Sequence, residues 1–521
     1  MASRVHFRVP ILESGSPSAR RTSGKRPGLR VRKKARGKPA ATRRNKKFLF
    51  PPARYETLNF QGKHVHCVGI GGAGVQALAE FLIRSGARVS GSDQADSDAI
   101  YRLRRMGARV FTKHDAAQVP AETNFLVYSP AVKEENPERR IARAQGITEL
   151  SYPEMLGRLM ASSRGIAVAG THGKSTTTGM VGWVLDQSGL DPTVIVGATV
   201  PQLGGPSRVG AGEAFVAESC EFGRSFHHLR PRVGVVLNIE PDHLDYYSGL
   251  DEIIESFRDF VQLVPADGLV VAHGADESVA RATIGAKARI ETCSLDSSST
   301  WWAADLRCDG GRYRFRVFRD GEYVTQISLQ VPGRHNVENA LAAIAVCHSF
   351  DVRPSVIRDA LEEFQGCGRR FEFRGNWRGV TLIDDYAHHP SEIQATLRAA
   401  REMFARRRIW CVFQPHQLSR TRALFDQFAR SFGDADRVLI GDIYTAREQL
   451  SEPAAKTALQ LSGAIIENGG HARHLGDAGS IIAYLEANLE PADVLVVMGA
   501  GDIGKVADAF ARRLSRHRQA G

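Results

Sequence analysis

From His64 onward, short apolar runs recur along the chain, each stopped by glycine or a polar residue and followed by apolar positions at helical spacing. The first run, His64-Val-His-Cys-Val68, enters Gly69-Ile-Gly-Gly-Ala-Gly74 and then the amphipathic Val75-Gln-Ala-Leu-Ala-Glu-Phe-Leu-Ile-Arg84. Continuous apolar runs predict strands covered on both faces, and the glycine turn predicts a βα unit. Arg88-Val-Ser-Gly-Ser-Asp93 reads as the next strand. It ends in an acid about twenty residues past the glycines, the spacing of a dinucleotide ribose contact. With Phe125-Leu-Val-Tyr-Ser129 and a helical stretch from Glu138 to Ala144, a Rossmann-like domain is expected over 59–162.

A second α/β segment, 163–366, opens on Ile166-Ala-Val-Ala-Gly-Thr-His-Gly-Lys-Ser-Thr176, a strand that stops in a glycine turn and enters a helix around Met180-Val-Gly-Trp-Val-Leu185. Ala214-Phe-Val-Ala-Glu218 and Val233-Gly-Val-Val-Leu-Asn238 read as strands with polar ends, and residues 288–331 read as β-rich before the helical Asn336 to His348. Glycines in Phe364-Gln-Gly-Cys-Gly-Arg-Arg-Phe371 suit a hinge. Strands at Val380–Asp384, Arg408–Phe413, Arg437–Ile440 and Asp493–Met498 then predict another Rossmann-like sheet over 367–521. The fold class is therefore α/β in three domains, with a P-loop-type ATPase in the middle.

Composition narrows the functional classes. A hydrophobic content of 43% and a charged content of 24% are ordinary for a globular protein, and nothing resembles a transmembrane helix. The seven cysteines are scattered and never form Cys-x-x-Cys, which argues against a disulfide framework and favours a reducing, cytoplasmic setting. The net charge of +12 resides at one end: residues 1–50 hold sixteen Lys or Arg against the single Glu13, which leaves the other 471 residues at −3. Residues 1–58 read as a basic extension too poor in apolar groups to build a core. Three readings of it stand: a disordered extension or overlong translation start, a tether to an anionic partner such as RNA, DNA or lipid, and a transit peptide.

The chemistry-bearing residues sit at strand ends, where open parallel sheets gather ligands. In Gly170-Thr-His-Gly-Lys-Ser-Thr176, glycines and a helix N-terminus suit phosphate, Lys174 offers a cation and Ser175 or Thr176 a metal ligand. Val168 stands where the general P-loop has glycine. Glu218 and Asn238-Ile-Glu-Pro-Asp-His243 supply magnesium contacts, with His243 the less natural ligand. Asn336 and Asn339 share a helix face, where one amide can cap the helix and the other read a nucleobase. Asp384-Asp-Tyr-Ala-His-His-Pro390 gathers two acids and two imidazoles for substrate positioning, with a zinc site at the His pair as an alternative. Arg420 and Arg422 suit a carboxylate or phosphate.

In this order the motifs, together with Gly333–Asn339, Gly368-Arg-Arg-Phe371, Phe413-Gln-Pro-His416 and Gly499–Lys505, resemble the Mur ligases, ATP-dependent amide-forming enzymes of peptidoglycan synthesis. The resemblance spans residues 62–515. It implies UDP-N-acetylmuramate and L-alanine as substrates, with ATP and Mg2+, and replaces the dinucleotide reading by a UDP-sugar site at Gly71, Gly72, Ala73, Gly74, Ser92, Asp93 and Ser129. It implies that Gly170, Thr171, His172, Gly173, Lys174, Ser175 and Thr176 hold ATP with Asn336 and Asn339, and that Asn339 contacts adenine. Ser175, Glu218 and His243 would serve magnesium. Lys174, Glu218, His243, Arg370, Asp385 and His388 would form the catalytic set, with His388 and Arg420 orienting the amino acid. A nicotinamide-dependent dehydrogenase and a nucleic-acid-binding protein are the competing classes, and oligomeric state is not legible.

Three departures accompany the resemblance. The family's Glu-Ala-Asp-Glu-Ser-Asp is Glu218-Ser-Cys-Glu-Phe-Gly223, which keeps both glutamates and loses both aspartates. Gln417 stands where the family usually has Arg, and the basic extension has no counterpart. No lysine lies between Lys174 and Lys287, where family members that add later residues carry a carbamylated one; this points to the alanine-adding branch, with a tripeptide-recycling relative as the alternative.

Overall fold

The computed structural model describes residues 59–94, 96–445, 448 and 454–519. The expectations for the extension 1–58 lie outside these residues. Three sheets follow one another along the chain. The first is parallel throughout, in the order Arg109–Phe111, Arg88–Ser92, His64–Val68, Phe125–Tyr128, Thr148–Ser151. Its order reverses direction beside His64–Val68, so the glycine turn after that strand opens at the switch point. The strand Arg88–Ser92 needs Gly91, because a Cβ there would overlap the Cys67 carbonyl across the ladder. Helix Ala73–Arg84 buries Val75, Leu78, Phe81 and Leu82.

The second sheet has ten strands. At its centre Arg164–Ala169 lies between Ala214–Glu218 and Val233–Val236, all parallel and almost wholly apolar. Register pairs Val168 with Glu218, which brings that carboxylate to the same end of the sheet as the loop that follows Ala169. The helix Lys174–Gln187 is buried nearly all round because helix His335–Ser349 and the sheet both cover it. The expected β-rich stretch forms strands Arg289–Ser294, Trp301–Asp309, Arg312–Arg319 and Glu322–Ser328, the last three an antiparallel meander. Exposed and buried residues alternate along Arg312–Arg319, as expected of a sheet with one solvated face.

The third sheet runs Glu372–Trp377, Val380–Asp385, Val494–Met498, Ile409–Phe413, Arg437–Gly441, Ala472–Gly476, parallel except for its first pair. Its central strands are buried on both faces. All seven cysteines are unpaired, and among the described residues no helix is long and apolar enough to cross a membrane.

Helix Tyr152–Ala161 joins the first sheet to the second. Ser151 and Glu154 form a reciprocal capping box at its start, an arrangement that contributes about 1 kcal/mol. At Gly157 the helix meets the central lobe at backbone distance, since a Cβ there would overlap the His228 carbonyl oxygen. Gly157→Ala is therefore expected to destabilise the chain by about 1–3 kcal/mol despite alanine's better helix propensity. Urea denaturation reads the effect, and an unchanged or higher midpoint would contradict the close approach.

Candidate active site

The phosphate loop forms where the strand Arg164–Ala169 ends. Gly170 and Gly173 have φ of 145° and 81°, conformations that side chains rarely adopt. A Cβ on Gly170 would lie 2.9 Å from Leu237 Cβ, and one on Gly173 would overlap the Asn339 amide oxygen. Asn238 fixes the loop from the neighbouring strand. Its carbonyl accepts the Thr171 N–H at 3.0 Å, its Oδ1 accepts the His172 N–H at 2.7 Å, and its Nδ2 donates to His172 O at 3.2 Å. The Glu240 N–H adds a bond to Thr171 Oγ1 at 2.9 Å. The strand ends at Val236; Leu237 N–H still reaches Ala169 O at 3.0 Å, and beyond it Asn238 serves the loop instead of the ladder.

The helix Lys174–Gln187 begins with no side-chain cap, the setting in which helix N-termini accept anions. Lys174 Nζ donates to Thr171 O at 3.0 Å, to Gly170 O, and to Glu221 at 3.0 Å. Burial alone would lower its pKa, yet Glu221 and its acidic neighbours raise it above the ordinary value, so the ammonium stays charged. Ser175 Oγ donates to Glu218 Oε2 at 2.9 Å, and the Gly197 N–H reaches the same oxygen at 2.8 Å.

The third lobe meets these loops through charge. Arg420 and Asp242 form a buried pair, with Nε to Oδ1 at 2.8 Å. Glu392 Oε1 lies 3.3 Å from His172 Nδ1 and 3.5 Å from the Arg370 guanidinium. Burial opposes protonation of His172, but Glu392 and Glu240 outweigh it and raise the imidazole to about 9. His388 behaves in the opposite way: burial drives it down to about 3, so it is neutral. Its Nδ1 lies 3.0 Å from Tyr386 O, a carbonyl that fixes the proton on Nδ1 and leaves Nε2 as an acceptor.

These groups wall a cleft of ≈ 1730 Å³ that receives Gly72, Ala73, Gly74 and Ser129 from the first lobe, Lys174, Ser175, Glu218 and His243 from the second, and Arg370, His388 and Arg420 from the third. A cavity of ≈ 280 Å³ adjoins it, lined by Asn336, Asn339, Asp385 and the loop residues His172, Gly173 and Thr176. His243, Arg369, Phe371 and Gln417 all hold positive φ around the cleft, a concentration of backbone strain seen at functional sites.

Several sequence expectations are corrected. Ser92 does not face the cleft: its buried hydroxyl donates to Glu138 at 2.5 Å and pairs with His114 at 2.8 Å, because strand alternation turns it into the lobe. Gly71 and Asp93 bond each other at the glycine turn, N–H to Oδ2 at 2.8 Å. His243 lies with Glu221 and Asp242, 3.8 Å from each. Asn336 is not the helix cap, since Arg334 holds that position and the Asn336 amide donates to Pro332 O at 2.7 Å. Asn339 Nδ2 in turn donates to Asn336 Oδ1 at 3.0 Å. His388 and His389 point to different partners, so they are not a metal pair. Glu240, Asp242 and Glu392 were missed as interlobe contacts. Glu392 carries one local signal, its place three residues after the cap His389.

A glycine-bent phosphate loop with lysine, serine and carboxylate, facing two further α/β lobes across a shared cleft, defines a three-lobed nucleotide-dependent ligase. Residues 64–164, 168–347 and 369–501 match the families described as Mur ligase family, catalytic domain; Mur ligase middle domain; and Mur ligase, glutamate ligase domain. The chain belongs to the Mur ligase family. It is 42% identical to the UDP-N-acetylmuramate–L-alanine ligase of Acetivibrio thermocellus, over 86% of this chain and 95% of the relative. It is 40% identical to the enzyme of that name from Geobacter sulfurreducens, over 88% and 98%. Among solved structures, the UDP-N-acetylmuramate–alanine ligase of Thermotoga maritima superposes with a TM-score of 0.75 at 28% identity, covering 87% of this chain and 99% of that one. A murein peptide ligase of Psychrobacter arcticus gives 0.68 at 27%, with the same coverage.

Asp385 provides a pH test of the site. It accepts the Phe371 and Ala387 N–H groups, each at 2.7 Å, but burial outweighs these bonds and the nearby Arg370 and raises the carboxyl to about 6. A raised folded pKa means stability present below pH 3.8 and lost as pH rises to about 6, worth about 3 kcal/mol. The difference in unfolding free energy between wild type and Asp385→Asn should therefore fall across that window and stay flat above it. A difference independent of pH would contradict the raised pKa.

Proposed function

We propose that this chain joins L-alanine to the lactyl carboxylate of UDP-N-acetylmuramate, with ATP cleaved to ADP and phosphate. The observation that carries this reading is the single cleft in which the phosphate loop, the glycine turn of the first lobe and the His388–Arg420 surface of the third lobe meet. Relatives at about 40% identity that bear this activity in their names support it. Residues 59–162 then bind the UDP-sugar, 163–366 ATP, and 367–521 the amino acid. The carboxylate attacks the γ-phosphate to give an acyl phosphate and ADP; the amine of alanine then attacks the acyl carbon, and phosphate leaves. A nucleotide and a UDP-sugar as substrates support a cytoplasmic setting.

Two anions must approach one another in the first step, so the main demand on the protein is positive charge. Lys174 supplies it, kept charged and aimed by Glu221 and the loop carbonyls. Arg370 adds a second cation from the hinge. Ser175 and Glu218 offer Mg2+ a hydroxyl and a carboxylate, the oxygen donors it prefers, and its charge would be supplied to the phosphate oxygens. The small cavity beside Asn336 and Asn339 suits the adenine. On the amino-acid side, the neutral His388 Nε2 accepts from the amine, while Arg420 is set toward the carboxylate and anchored by Asp242.

A second reading, addition of a preformed peptide, rests on the likeness to the murein peptide ligase. Purified enzyme with ATP, Mg2+ and UDP-N-acetylmuramate, offered L-alanine or tripeptide, separates the two by the amide product; no amide and no phosphate with either would refute both. Lys174→Ala should lower turnover at least about a hundredfold in a folded protein, because it removes a charge facing the phosphoryl group. Near-normal turnover would contradict its role. Gln417 borders the cleft and donates weakly to Asp245 at 3.4 Å. Gln417→Arg should lower KM for L-alanine by about tenfold with kcat little changed, by adding a cation for the amino-acid carboxylate. An unaltered KM across a panel of small amino acids would remove Gln417 from the recognition surface.

A further inference from the structure

His389, left without a role by the reaction, meets a residue of the phosphate loop. His172, Glu240 and His389 each direct one ligand atom into a common space, all within 4.8 Å of one another. Glu240 Oε2 is 3.6 Å from His172 Nε2 and 3.6 Å from His389 Nδ1. Ligand atoms about 2.0–2.1 Å from a tetrahedral ion stand about 3.4 Å apart, so the two Glu240 distances nearly fit and the imidazole nitrogens, within 4.8 Å, would have to draw closer. Both imidazoles are also held from behind, as metal-ligating histidines are. The far nitrogen of His172 faces Glu392 at 3.3 Å and that of His389 faces Pro241 O at 3.2 Å, while Ser391 Oγ donates to Glu240 Oε2, the same oxygen that faces the two imidazoles. With Nε2 turned to Pro241 O, the lone pair of His389 Nδ1 faces inward, whereas His172 Nε2 binds an ion only by giving up its proton. His172 Nε2 is shut off from solvent and makes no hydrogen bond, and His389 Nδ1, as the cap of its helix, accepts a long bond from the Ser391 N–H at 3.4 Å.

We propose that His172, Glu240 and His389 form a binding site for a zinc-class divalent ion that ties the phosphate loop to the third lobe. Two imidazoles and one carboxylate suit Zn2+ or Co2+ and disfavour Mg2+, which takes oxygen. The site is separate from the Ser175–Glu218 position. Its three ligands come from the loop after the strand Arg164–Ala169, the segment after Val233–Val236, and the cap of helix Pro390–Met403. An ion there would lock the two lobes together, so low concentrations of Zn2+ should slow turnover even with Mg2+ in excess. The rival occupant is a proton on His172, which pairs the imidazolium with Glu240 and Glu392.

The test uses the full chain freed of metal with a chelator and titrated with Zn2+ by calorimetry and with Co2+ by visible absorption. The expected result is saturation at one ion per chain, with the absorption bands of low-coordinate Co2+. Glu240→Gln and His389→Ala should each weaken binding at least about tenfold, while Glu218→Gln leaves Zn2+ binding unchanged. His389→Asn retains a capping side chain and loses the imidazole, so it guards against a folding defect and should also bind weakly. No saturable binding by the wild type would overturn the proposal in favour of the protonated ion pair. Binding lost in Glu218→Gln, or kept in a folded His389→Asn, would overturn it too by placing the ion elsewhere.

Discussion

Everything in the cleft depends on keeping one lysine charged while it is nearly enclosed. Desolvation disfavours an ammonium at Lys174, and the structure answers with Glu221 and two loop carbonyls. Those carbonyls point inward only because Gly170 and Gly173 take up positive φ, and the loop holds that shape through its bonds to Asn238. The constraint then spreads. A side chain at Gly173 would strike Asn339, so the helix His335–Ser349 can approach only a glycine at that point, and the small cavity exists between them.

Charge also joins the lobes. The third lobe brings Glu392 to His172 and Arg420 to Asp242, and both central partners lie on or beside the loops that form the phosphate site. A change in one lobe's position therefore acts directly on the loop that holds the lysine. The same enclosure sorts the histidines. His172, between two carboxylates, is raised, whereas His388, His416 and His335 are lowered by burial and stand neutral. Four imidazoles of one residue type thus acquire two protonation states from their surroundings.

Much of this was legible in the sequence, for a local reason. Strand, glycine turn and helix form a contiguous unit, so the phosphate loop, the first glycine turn and the strand ends at Glu218 and Asp385 could be read from neighbouring residues. What could not be read depends on the third dimension. Ser92 lies beside Asp93 in a motif, yet strand alternation turns its hydroxyl into the lobe toward Glu138. His243 follows a strand end next to the phosphate loop, and its left-handed backbone sets it near Glu221 and Asp242. Glu392 and Glu240 meet His172 only after two lobes close on each other, and no spacing along the chain encodes that meeting. Residues 288–331 were readable as strands because β-branched and aromatic residues alternate there, although the antiparallel order of the last three was not.

The cleft is proposed to bring a sugar-borne carboxylate to the phosphoryl group beside Lys174, so that one carboxylate oxygen departs with phosphate. The direct measurement is turnover of UDP-N-acetylmuramate carrying heavy oxygen in its lactyl carboxylate, followed by mass analysis of the released phosphate. The account predicts one labelled oxygen in each phosphate released with amide product. Unlabelled phosphate alongside normal amide formation would contradict it, because the carboxylate would then have been activated by a route that bypasses the acyl phosphate.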